Sequence, residues 1–71
     1  MANFVTKNQQ AVYDCIVRMK KETGMWPTYR ELAKELGYPL SYVYMSVSSL
    51  VKKDKVKRFP NRTRGLRIPG I

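Results

Sequence analysis

Apolar residues recur at helical spacing in three stretches of this chain and then switch to alternation. In the first stretch Val12, Ile16 and Met19 fall on one face, the i, i+4, i+7 stripe of an amphipathic helix. Thr6 followed by Gln9 has the form of a capping box, in which each side chain satisfies a free backbone N–H at the helix start. Lys20 and Lys21 suit the negative end of the helix dipole, and Gly24 can take the left-handed conformation that ends a helix. The pattern predicts a helix over about residues 6–22.

The second stretch is shorter and more strongly punctuated. Pro27 forces an extended approach, Thr28 and Glu31 form a second capping box, and Leu32, Ala33 and Leu36 make a short apolar stripe. Gly37 stops it, with Tyr38 folding back, which predicts a helix over about residues 28–36. Pro39 and Leu40 form a tight link to Ser41, a good N-cap for a third helix over about residues 41–53. Its packing face is Val43, Val47, Leu50 and Val51; its outer face is Ser41, Tyr42, Met45, Ser48, Ser49 and Lys52, with Tyr44 at the flank. Asp54 stands at the helix end, where Asp tolerates left-handed geometry better than most residues.

Alternation takes over afterwards. Val56 and Phe59 bracket Lys57 and Arg58, and residues 60–65 read as a turn. Leu66-Arg67-Ile68 then alternates apolar and basic, the signature of a half-buried strand. The simplest assembly is a two-stranded hairpin over about residues 56–68, its loop carrying Arg62 and Arg64, with Pro69 and Gly70 ending the ordered part. The expected fold is mostly α with a small β-hairpin: a winged helix-turn-helix of three helices and a two-stranded wing, a single domain over residues 1–71.

Composition changes this picture in one respect. The chain carries 14 Lys and Arg against five Asp and Glu, a net charge of +9. Residues 52–71 hold eight of the basic residues and one acidic residue. A local excess of this kind points to a polyanionic partner. A membrane surface would attract the same charge, but no segment nears the roughly 20 apolar residues of a span, and no basic helix carries aromatic anchors.

Several chemistries fall away. Cys15 is the only cysteine, so an internal disulfide is excluded and a reducing compartment is favoured. Cys15 itself reads as a small core or boundary side chain. With no histidine, a zinc site and Cys-His or Ser-His catalysis have no basis. No cofactor and no enzymatic activity are expected, and the N-terminus lacks a charged leader with an apolar core. Trp26, Phe4 and Tyr13 read as core or boundary residues rather than stacking platforms.

The partner expected of this combination is double-stranded DNA. The second helix of such a unit enters the major groove, with residues near its N-terminus reaching base edges. Those are Ser41, Tyr42, Tyr44 and Met45, with Ser48 and Ser49 a turn further on. Lys52 and Lys53 follow at the helix end, and Thr28 and Tyr29 at the start of the preceding helix complete the set. Ser discriminates bases weakly, Tyr reaches a phosphate, a base edge or a thymine methyl, and Met makes only apolar contact. Affinity should therefore come largely from phosphates, supplied by Lys57, Arg58, Arg62, Arg64 and Arg67. Five such contacts give a log–log salt slope of about −4 to −5. Arg62 or Arg64 can alternatively enter a narrow minor groove. Two other readings stay open: a protein-binding adaptor using Tyr42, Tyr44 and Met45 as apolar anchors against RNA polymerase or another regulator, and recognition of RNA or unusual nucleic-acid shape by Tyr stacking.

The sequence resembles the N-terminal DNA-binding domain of LexA-type bacterial repressors. Thr6-Lys7-Asn8-Gln9-Gln10-Ala11-Val12-Tyr13-Asp14-Cys15-Ile16 is similar to that family's opening helix. Gly24-Met25-Trp26-Pro27-Thr28-Tyr29-Arg30-Glu31-Leu32-Ala33-Lys34-Glu35-Leu36-Gly37-Tyr38 resembles its Gly-x-x-Pro-Thr-x-x-Glu-Ile-Ala-x-x-Leu-Gly-Phe segment. Leu50-Val51-Lys52-Lys53-Asp54-Lys55-Val56 resembles its Leu-x-x-Lys-Gly-x-Ile exit, and Arg64-Gly65-Leu66-Arg67-Ile68 its returning wing strand. The departures are a segment between Gly37 and Leu50 that is one residue shorter, Tyr and Met in place of the usual polar reading residues, and Asp54 where Gly is common. The 71 residues stop where the family's self-cleaving dimerisation domain begins, so regulation by self-cleavage is not expected of them. The resemblance implies a transcriptional repressor that occupies an operator and blocks polymerase. It is expected in the bacterial cytoplasm, encoded by a phage or mobile element given its compactness, monomeric in solution and pairing on DNA or through the wing.

Overall fold

The computed structural model describes residues 5–59, 61 and 64–70, and within them three helices precede a two-stranded antiparallel hairpin. The first helix, α1, spans Lys7–Thr23. Thr6 caps it by accepting from the Gln9 N–H at 3.2 Å. The reciprocal half of the expected box is replaced: the Gln9 amide oxygen accepts from the Lys53 ammonium at 2.7 Å, tying the start of α1 to the end of the third helix. Gly24 ends α1 at a φ of 76°.

The second helix, α2, spans Tyr29–Leu36 and has both halves of its capping box. The Thr28 hydroxyl accepts from the Glu31 N–H at 3.1 Å, and the Glu31 carboxylate accepts from the Thr28 N–H at 2.9 Å. Gly37, at a φ of 69°, turns the chain in the left-handed region that side chains rarely adopt. The next backbone N–H, of Tyr38, then returns to the Ala33 carbonyl. The third helix, α3, spans Leu40–Lys52. It is not capped by Ser41. Pro39 holds the cap position without a side-chain bond, and its carbonyl accepts from the N–H groups of both Tyr42 and Val43. A proline immediately before the helix pre-sets the backbone without needing a donor, so the helix begins earlier and Ser41 lies inside its first turn.

The end of α3 is a Schellman motif. The Asp54 N–H bonds the Val51 carbonyl and the Lys55 N–H bonds the Leu50 carbonyl. This motif demands a left-handed residue at the position Asp54 fills, and its φ is 60°. The chain then enters strand β1, Lys57–Arg58, which pairs antiparallel with β2, Leu66–Arg67. Phe59 extends the ladder by donating to the Gly65 carbonyl at 2.9 Å.

One core unites these elements. Val12, Cys15 and Ile16 of α1 meet Leu32 of α2, Val43, Val47 and Leu50 of α3, and Val56, Leu66 and Ile68 of the hairpin. Each fully buried Val, Leu or Ile contributes roughly 1.5–3 kcal/mol of transfer free energy. Buried Ser46 joins the α3 packing face, three residues after Val43. Burial pushes the Cys15 thiol above its usual range, more than neighbouring Arg18 lowers it, which keeps it protonated and unreactive.

The wing is fastened to this core by a polar clamp as well. Arg64 donates to both oxygens of Glu31, at 2.7 and 3.1 Å, and to the Trp26 carbonyl at 2.9 Å. Glu31 therefore serves the α2 cap and the wing together. The Arg64 hydrogen bond, followed by the backbone bond from Thr28, holds the Glu31 carboxyl below its ordinary range. Both partners are about 40% exposed, so solvent screens the charge term and the clamp acts chiefly by fixing geometry.

Two measurements check this construction. Asp54→Gly relieves the left-handed strain and should raise stability by up to about 1 kcal/mol, whereas Asp54→Val should lower it by about 1–2 kcal/mol, read from urea unfolding. Because the Glu31 pKa is depressed on folding, its contribution is fully present above the normal carboxylate range and is lost as pH falls through the lowered value. Glu31→Gln keeps the capping box and loses the ion pair. Its melting temperature should lie below that of the unaltered protein at pH 7, and the difference should shrink below about pH 4.

Candidate nucleic-acid interface

The helix-turn-helix consists of α2, the turn at residues 37–39, and α3. The face of α3 turned away from the core carries Ser41, Tyr44, Met45 and Lys52, all exposed. Met45 is 68% exposed and Tyr44 45%, values that set these two apart from the half-buried residues beside them. No Asp or Glu occurs between residues 40 and 53, so nothing on α3 repels a phosphate.

Tyr29 and Tyr44 form the joint between the two helices. Their ring centroids lie 4.3 Å apart at an interplanar angle of 45°. Tyr29 is half-buried at the start of α2 and fixes the more exposed ring of Tyr44. Tyr42, by contrast, turns aside: its ring meets Tyr38 edge-on at 5.2 Å, and it is half-buried. Ser48 and Ser49 are also only half-exposed, on the flanks of α3. Thr28 is occupied by the α2 cap, with its backbone and hydroxyl both bonded to Glu31.

The basic residues divide in a similar way. Lys57, Arg58 and Arg67 are exposed on the wing. Lys57 stands directly opposite Arg67, and Arg58 opposite buried Leu66. Arg62 lies outside the described residues, as does Phe4 near the N-terminus. Arg64 does not project from the loop toward a ligand; the clamp with Glu31 and the Trp26 carbonyl holds it. Lys53 is likewise directed at Gln9 rather than outward. Sequence reasoning placed Glu31 in a cap alone. The arginine that completes its role lies 33 residues away, beyond the reach of any local spacing rule.

Four of the five acidic residues are engaged away from the outer face of α3, and the fifth, Asp54, is exposed at the turn between α3 and the wing. Glu22 and Glu35 flank Arg18 at 3.6 and 3.3 Å, joining α1 to α2. Asp14 accepts from the Gln10 amide on α1. Among the described residues, no cluster of His, Cys, Asp or Glu could hold a metal ion, and no helix is long and apolar enough to cross a membrane.

A protein-family model described as the LexA DNA binding domain matches residues 2–65. The LexA repressor of Vibrio cholerae is 38% identical over 65 residues, covering 90% of this chain and 31% of that protein. The LexA repressors of Vibrio campbellii and Aliivibrio fischeri are each 35% identical over 65 residues and 90% of this chain, or 32% and 31% of their own lengths. The chain thus spans about a third of the length of these curated relatives. Coverage by the family model extends from before α1 to the residue preceding the returning wing strand, and on that ground this chain belongs to the LexA DNA-binding domain family.

Proposed function

We propose that the domain binds double-stranded DNA with the N-terminal half of α3 in the major groove and the wing along the phosphate backbone. It would repress transcription by occupying an operator and blocking polymerase. The observation that carries this reading is the pairing of an acid-free, outward-facing α3 surface with the exposed cations of the hairpin. The repressor names of the relatives support the regulatory part.

Ser41, Tyr44 and Met45 are the base-reading residues of this proposal, Tyr29 holds Tyr44, and Tyr42, Ser48 and Ser49 act at the rim. None offers the bidentate Arg–guanine or Asn–adenine pairing that discriminates bases most strongly. Readout therefore depends on apolar contact, with thymine methyls the natural target of Met45 and Tyr44. Lys57, Arg58, Arg67 and Arg62 supply phosphate contacts, with Lys52 at the end of α3. Arg64 and Lys53 serve the fold instead. The domain is monomeric in solution and pairs on DNA, in the cytoplasm of a bacterium or of a phage-infected cell.

The exposure of Met45 and Tyr44 also favours a second reading, in which α3 is an apolar anchor for RNA polymerase or another regulator. A fluorescence titration on random-sequence duplex separates the two. With Arg64 withdrawn and Lys52 counted beside the four wing cations, five contacts give a log–log salt slope of about −4 to −5. A Tyr44→Ala/Met45→Ala variant should bind random duplex nearly as well as the unaltered protein, yet lose roughly 1–3 kcal/mol of preference for a selected site. Absence of duplex binding at low salt overturns the DNA reading. Salt-steep binding with no preferred site, indifferent to both substitutions, favours the adaptor.

A further inference from the structure

The exposed side of the wing that carries Lys57 and Arg67 continues onto the end of α1. Lys57 and Arg67 face one another across the two strands, and like charges directly opposite are destabilising unless something compensates them. Phe59, two residues after Lys57, shares their side of the strand, and the Arg67 guanidinium lies 5.5 Å from its ring centroid. The last turn of α1 and the turn leading to α2 close this surface into a cleft of about 540 Å³ lined by Lys20, Trp26, Lys57, Phe59 and Arg67, with Ile68, Pro69 and Gly70 at its floor and edge. No Asp or Glu is among the described residues that line it.

Lys20 is fixed at the wall of this cleft. Its ammonium donates to the Gly24 carbonyl at 3.0 Å and lies 5.0 Å from the Trp26 ring centroid. One of its three N–H groups is thereby spent and two remain for an acceptor. Three cations from three separate segments, α1, β1 and β2, converge on one concavity. The cleft is also coupled to the helix-turn-helix. Trp26 is two residues before the α2 cap, and its carbonyl is one of the three acceptors that Arg64 grips.

We infer that this cleft is a phosphate-binding site that extends the wing's DNA contact onto the end of α1, with Lys20 as the cation it adds. This rests on the DNA-binding reading proposed above. The occupant that matches three cations with no acidic neighbour in the cleft, two of them on the DNA-contacting wing, is the backbone of the same duplex, outside the segment read by α3. Trp26 and Phe59 orient Lys20 and Arg67 by cation–π contact.

The test compares two substitutions of equal charge on adjacent residues. Lys20→Gln removes the cleft cation and leaves an amide that can still donate to Gly24. Lys21→Gln removes the same charge next door, on a side chain that faces a separate surface groove with Tyr13 and Val17. Binding of the 71-residue protein to a 30-base-pair random duplex is titrated from low to moderate salt, with unfolding curves confirming that both variants are folded. The expected result is that Lys20→Gln makes the log–log salt slope less steep by about 0.9, the equivalent of one phosphate, while Lys21→Gln leaves it unchanged. Equal slopes for the two variants, whether both reduced or both unaltered, overturn the cleft while leaving DNA binding intact. Failure of the unaltered protein to bind duplex overturns the DNA reading and the cleft together.

Discussion

The two-point hydrogen bond between Arg64 and Glu31 is the constraint on which the geometry of the interface depends. A two-stranded hairpin with two paired residues in each strand has little stability of its own. Its apolar side is secured by Val56, Leu66 and Ile68, but burial is non-directional and leaves orientation loosely set. Arg64 supplies direction. By gripping the carboxylate that also caps α2, and the carbonyl of Trp26, it ties the wing to the residue from which α2 starts. In the proposed complex the wing and α3 would therefore meet a duplex as one surface rather than two tethered ones.

The same economy governs the charges. Of the five acidic residues, Glu22 and Glu35 are engaged by Arg18 of α1, Glu31 by Arg64 of the wing, and Asp14 accepts from a neighbouring amide on α1. The face left to α3 and the wing is mostly basic and apolar, with exposed Asp54 at the junction between them as its one acidic residue among the described residues. In the low-salt limit such a surface favours any polyanion. On the proposed reading the sequence preference is left to Ser41, Tyr44 and Met45, whose contacts discriminate weakly, and most of the binding energy comes from phosphates.

Much of this was legible in the chain. The three apolar stripes, the Thr28–Glu31 capping box, the left-handed turn at Gly37 and the basic alternation of the wing each obey a local rule, and the fold follows from them. Asp54 was legible for the same reason, because the end of a helix demands one left-handed residue there. The start of α3 was misread because Ser41 is a stronger cap than Pro39 by propensity, whereas the short Gly37–Pro39 turn leaves the proline at the boundary. The fates of Arg64, Lys53 and Tyr42 were illegible. Each depends on a partner outside its own element, Glu31, Gln9 and Tyr38 respectively, and a basic or aromatic residue has the same local signature whether it meets DNA or the protein's own surface.

The most direct test of a rigid α3–wing surface is an NMR titration of the isotope-labelled domain with duplex DNA, following every backbone amide. Amide shifts should concentrate at the first turns of α3, from Ser41 to Met45, and at Lys57, Arg58 and Arg67, moving together along one binding curve. The outer face of α1 around Tyr13 and Val17 should stay still. Shifts centred on that α1 face, or wing and α3 amides that follow separate curves, would contradict it.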